Sequence, residues 1–125
     1  MSFPSPPAPE FNPEPLGNGS YDPLTDGLLL IRYMFGVTGD ALTTNALGPG
    51  ATRRTGPEIS NYLFTHYPQL DADGNNHLDA LTDGVLILRY LFGLRGTQLV
   101  QGAVGTDATR STAPDIERYL ATLMP

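Results

Sequence analysis

The sequence predicts an all-α fold in which two copies of a loop–helix unit pack as one small helical domain with pseudo-twofold symmetry. Three observations predict it. A shift of 57 residues lays 17–68 over 74–125 without a gap, and 26 of the 52 pairs are identical; such self-similarity marks a duplicated supersecondary unit. In each copy, an apolar run at helical spacing ends on a stopping glycine, and further along a Thr-x-Pro-acid start opens a second helix. Ahead of the second copy's first helix, oxygen-bearing side chains alternate along a short loop, a pattern with no use in an apolar core.

Residues 1–15 carry Pro4, Pro6, Pro7, Pro9, Pro13 and Pro15, which fix φ and remove donors, so this stretch reads as an extended linker. The domain follows over 16–125, with repeat one at 16–68 and repeat two at 71–125. Helix one is expected over 26–35 and 83–92, with Asp26 or Asp83 favouring the positive end of the dipole. Gly36 and Gly93 stop it. Gly-rich connectors follow over 37–54 and 94–111. Helix two opens on two capping boxes, Thr55-Gly-Pro-Glu58 and Thr112-Ala-Pro-Asp115, and runs to His66 and Met124. Helix one is apolar nearly all round in both copies, whereas a surface helix needs a stripe only about 100° wide. Packing of the first helices on each other and on the second helices accounts for that excess; an open face for a partner is the alternative.

The loop is Asp71-Ala-Asp-Gly-Asn-Asn-His-Leu-Asp-Ala-Leu-Thr-Asp83. Asp71, Asp73, Asn75, Asp79 and Asp83 offer side-chain oxygens, and a backbone carbonyl near His77 offers another. Carboxylates crowded this way repel one another unless a hard cation joins them, and Ca²⁺ takes six to eight oxygens. The spacing is close to the EF-hand loop, with Asn76 where the sharp turn favours Gly and the closing carboxylate one residue late. The sequence therefore predicts a Ca²⁺ site at Asp71, Asp73, Asn75, His77, Asp79 and Asp83. The equivalent first loop is poorer, because Leu16 replaces an Asp. Its candidate ligands are Asn18, Ser20, Asp22 and Asp26, and one or two ions are expected in all.

Other chemistry is disfavoured. Thirteen acids against seven bases give a net charge of −6 without a basic cluster, a poor match to nucleic acid or an anionic membrane. No stretch approaches the ~20 apolar residues of a membrane span. There is no cysteine, and His66 and His77 are the only histidines, so zinc and thiolate chemistry are disfavoured. Mg²⁺ avoids dense all-protein oxygen cages. Ser20, Ser60 and Ser111 have no patterned base, and no enzyme is expected. Arg53, Arg54 and Arg110 are expected to pair with nearby acids. Met1 to Pro9 lacks a basic start and an apolar run, so an exported chain is expected to be a piece of a larger protein.

The stretch Asp71–Gly93 resembles the dockerin module of bacterial and archaeal extracellular proteins. Dockerins carry two tandem calcium loops, each followed by a helix reading L-x-x-x-[KR]-[YR]; here the counterparts are Asp83-Gly-Val-Leu-Ile-Leu-Arg-Tyr90 and Asp26-Gly-Leu-Leu-Leu-Ile-Arg-Tyr33. The match covers the loop and first helix of each unit, somewhat under half the chain. Each loop is one residue longer than the usual dockerin loop, and the connectors are longer too. The resemblance implies an EF-hand-like fold, a secreted or cell-surface setting as part of a larger exported protein, and a non-catalytic role in calcium-dependent attachment. The implied partner is a cohesin-type β-sandwich docking on a first-helix face, here Leu24, Arg32 and Tyr33 with Leu81, Arg89 and Tyr90. A homo-oligomer stays open. So does the alternative of a purely structural calcium-stabilised terminal domain with no separate partner.

Overall fold

The computed structural model describes residues 22–48 and 51–123, and every regular element among them is helical. The linker over 1–15 and the first-loop positions Asn18 and Ser20 lie outside the described residues.

Each first helix starts earlier, and differently, than its apolar run implies. Asp22 and Asp79 stand in extended backbone and cap the chain, accepting the N–H of Leu24 at 2.9 Å and of Leu81 at 2.8 Å. The turns that follow, Pro23–Gly27 and Ala80–Gly84, are π-helical. Gly27 donates to the Asp22 carbonyl at 3.1 Å and Gly84 to the Asp79 carbonyl at 3.2 Å, in each case five residues back. Only then does the chain tighten into α1 (Leu28–Met34) and α4 (Val85–Leu91). Gly36 and Gly93, at φ 86° and 91°, end these helices as expected.

The connectors hold more structure than their glycines suggest. Each contains a four-residue helix, α2 (Asp40–Thr43) and α5 (Thr97–Val100), entered through Gly39 or Gly96 at φ 65°. Helices this short have no stability of their own. They persist because Leu42 and Leu99 are fully buried, and because an arginine from the preceding helix satisfies their last carbonyls. Arg32 Nη1 donates to Leu42 O at 2.9 Å and Thr44 O at 2.7 Å; Arg89 Nη1 donates to Leu99 O at 3.1 Å and Gln101 O at 2.7 Å.

The long second helices are α3 (Gly56–Thr65) and α6 (Ala113–Leu123). The capping box at Thr55 and Glu58 is complete. The second is half made: Thr112 Oγ1 accepts the Asp115 N–H at 3.3 Å, but the shorter Asp115 carboxylate pairs with Arg118 at 3.4 Å. Both helices bury one stripe at the expected period, Ile59 and Leu63 on α3, Ile116, Leu120 and Leu123 on α6. A 3₁₀ turn, Tyr67–Leu70, leads from α3 into the 71–83 loop.

The core lies where α1 and α4 meet. A Cβ on Gly27 would stand 2.7 Å from Leu88 Cδ1, and one on Gly84 would stand 3.1 Å from Ile31 Cγ1 and Met34 Sδ. Each helix start is thus covered by the other helix. Leu29, Leu30, Leu86 and Ile87 are fully enclosed there, each contributing about 1.5–3 kcal/mol by leaving water. Burial is incomplete at the helix ends, where Leu24 and Leu81 are 67% and 63% exposed and Phe35 and Phe92 are 60% and 54% exposed. Tyr33 and Tyr90 pack partly buried against the core. Among the described residues, no helix is long and apolar enough to cross a membrane.

Candidate metal centre

The 3₁₀ turn delivers Asp71 to the edge of the core, and the loop doubles back through Gly74 and Asn76, both left-handed at φ 71° and 67°. Asn is the side chain best suited to that backbone after glycine, which explains Asn76. Asp71 is fastened by the loop's own amides: Oδ1 accepts from Gly74 and Asn75 at 3.0 and 3.3 Å, and Oδ2 from Asn76 at 2.8 Å. The π turn then brings Asp83 inward. Its Oδ1 accepts the Asp73 N–H at 3.2 Å and its Oδ2 the Asp79 N–H at 3.0 Å.

Asp71, Asp73 and Asp83 end up together, with one oxygen from each lying within 4.8 Å of the others. All three are buried, Asp73 and Asp83 completely. Asp73 Oδ2 accepts the Gly105 N–H at 2.7 Å, whereas Oδ1 is buried with no hydrogen-bond partner among the described residues. A buried carboxylate oxygen left bare beside two more carboxylates is costly unless a cation meets it. Burial pushes Asp83 up to about 7, the Asp73 and Asp71 charges adding to the rise and the Asp79 and Asp73 amides opposing it. Burial raises Asp73 as well, opposed by the Gly105 amide and reinforced by Asp71. A divalent cation reverses this balance by favouring the ionised forms. The three aspartates can hold a metal ion, and their all-oxygen donor set suits a hard one.

The remaining predicted ligands are placed differently. Asn75 lies beside the cluster, its Oδ1 accepting the His77 N–H at 3.0 Å and its Nδ2 donating to Thr106 O at 3.2 Å. His77 and Asp79 are exposed. The Asp79 carboxylate caps the helix at Leu81 and stands outside the three-aspartate group. In the first unit, Asp26 is fully buried and its Oδ2 accepts the Asp22 N–H at 2.9 Å, as Asp83 does from Asp79.

Sequence reasoning missed the far wall of the site. Residues 105–110 close over the loop, and Arg110 binds backbone rather than an acid: Nε donates to Ala72 O at 2.8 Å and Nη2 to Asp71 O at 2.6 Å. Its guanidinium lies 3.7 Å from the centre of the Tyr119 ring, as Arg53 does over Tyr62. The signal was present in the sequence, since both pairs fall at the same place in the repeat. Comparison with protein-family models, with curated proteins and with solved structures finds no match.

Proposed function

We propose that the chain is a non-catalytic calcium-binding module of a secreted or cell-surface protein, working in calcium-dependent attachment to a protein partner. The observation that carries the proposal is the bare, buried Oδ1 of Asp73, a residue grouped with Asp71 and Asp83. Asp71, Asp73 and Asp83 would hold the ion, with Asn75 and the His77 carbonyl as further oxygens. Calcium suits the set better than magnesium, which keeps most of its water. The bound ion supplies charge compensation and a cross-link between the loop and the start of α4.

The matching order of elements, together with the 57-residue repeat, supports a duplicated unit about a pseudo-twofold axis. The reading as a dockerin-like module rests on the loop and first-helix sequences. Attachment is supported by Leu24, Leu81, Phe35 and Phe92, apolar side chains exposed at the ends of the first helices. Tyr33 and Tyr90 would add to that face, whose partner by resemblance is a cohesin-type β-sandwich. Arg32 and Arg89 point to a second reading, a purely structural calcium-stabilised domain, because the Nη1 group of each is committed to carbonyls of this chain.

Titration calorimetry with Ca²⁺ on the chelator-stripped chain tests the metal. Uptake that Asp83→Ala abolishes supports it; no heat at millimolar Ca²⁺ sinks it. Attachment is tested by immobilising the chain and passing cohesin domains over it with Ca²⁺ or chelator. Binding that requires Ca²⁺ and fails in Leu24→Asp with Leu81→Asp favours attachment. Equal binding with and without Ca²⁺ overturns the calcium dependence of attachment, and no binding leaves the structural reading.

A further inference from the structure

The metal loop is gripped from a segment more than thirty residues further along the chain. Gly105 donates to Asp73 Oδ2 at 2.7 Å, and fixing one oxygen of a carboxylate fixes where the other points. Here the other is the bare Oδ1. A Cβ on Gly105 would lie 2.7 Å from Asn75 Nδ2 and 2.9 Å from Asp73 Oδ2, so a side chain there would push both side chains off their present places. Arg110 then holds three successive loop carbonyls, with its backbone N–H on Asp73 O at 2.9 Å and its side chain on Ala72 O and Asp71 O at 2.8 and 2.6 Å. Thr109 Oγ1 adds a bond to Gly74 O at 2.9 Å. On its other face the guanidinium stacks on Tyr119 of α6, whose hydroxyl donates to Gln69 O at 2.7 Å, just ahead of the loop. A planar, forked, permanently charged group fits between carbonyls and a ring as lysine does not.

We infer that residues 105–110 are a working part of the metal site, with Gly105 and Arg110 as positioning residues that set cation affinity without touching the cation. The inference rests on reading 71–83 as a calcium loop. Residues that hold a loop in its binding shape are themselves held when the ligand binds, because the coupling is reciprocal. Calcium occupancy is therefore tied to the docking of α6.

The test compares Ca²⁺ calorimetry of the full stripped chain with that of Gly105→Ala, Arg110→Gln and Arg110→Lys. Circular dichroism melts with and without Ca²⁺ accompany each. Outer-shell partners of a metal site are typically worth 10–100-fold in affinity, so Gly105→Ala and Arg110→Gln are expected to weaken Ca²⁺ binding by about that factor. Arg110→Lys, which keeps the charge and loses the fork, is expected to recover little, and the metal-free helix signal to stay. In the wild type, Ca²⁺ is expected to slow hydrogen exchange at the Gly105 and Arg110 amides. Variants that bind within twofold of wild type, full recovery by lysine, or equal melting losses with and without Ca²⁺ would overturn the inference while leaving the calcium reading standing. A wild type that takes up no Ca²⁺ overturns both. Should Arg110→Gln not fold, Thr109→Val and the wild-type exchange data decide.

Discussion

Residues 22–65 and 79–123 carry the same order of helical elements and differ in instructive places. Both start with an aspartate cap and a π turn, and both send an arginine from the first helix to the end of a four-residue helix. They differ in how the second helix is seated. At Gly56 a Cβ would lie 2.4 Å from Gly39 O, so α3 presses directly on the entry to α2. The equivalent residue of the second half is Ala113, and the Gly96 amide is met instead by Glu117 Oε2 at 2.7 Å. One half closes by bare contact, the other by a side chain reaching across. The elements fall in the same order in both halves, while each half closes with its own residues.

The sharpest way to break the comparison is to delete the closing carboxylate of each half in turn. Asp83→Ala is expected to weaken Ca²⁺ binding by more than about 100-fold, beyond the usual effect of an outer-shell partner. Asp26→Ala is expected to leave the second-loop heat in place, as calorimetry would show; loss of that heat would mean the loops act as one site. Acidity gives the next effect. Asp83 is raised to about 7 from the ordinary aspartate value of 3.8, so in stripped protein its contribution is fully present below that ordinary value and is lost as pH rises through about 7. Melting temperature without Ca²⁺ should fall over that window. Asp83→Asn should flatten the fall, and Ca²⁺ affinity should rise over the same range.

Seating comes third. Gly56→Ala should destabilise by about 1–3 kcal/mol, as overpacking does, and Ala113→Gly by no more than about 1 kcal/mol, both read from urea midpoints. Equal losses would mean the two contacts are alike after all. The smallest effect is at the caps. Thr55→Ala should cost about 1 kcal/mol, within the range for losing an N-cap, and Thr112→Ala less, because its box is half made.

Helical class, helix limits near Gly36 and Gly93 and the second-helix starts were legible because period, glycine and Thr-x-Pro-acid signals act locally. The short helices α2 and α5 were not. Four residues carry no period, and Leu42 and Leu99 reveal themselves only when the core encloses them. The cluster of Asp71, Asp73 and Asp83 was readable from alternation, since loop geometry follows spacing. Asp79 stands apart from that group, where its carboxylate caps the Leu81 amide. Gly105 and Arg110 escaped because their partners lie 32 and 39 residues away.

The reciprocal contact of Gly27 with Leu88, and of Gly84 with Ile31 and Met34, bears on how such a chain can be divided or built up. Neither half owns a roof. A polypeptide ending before Asp71 would present the floor around Gly27, Leu29 and Leu30 to water, and would have to borrow its missing cover from a second copy of itself. A single half is thus expected to fold stably only when another covers it, a cover that the second half supplies within one chain.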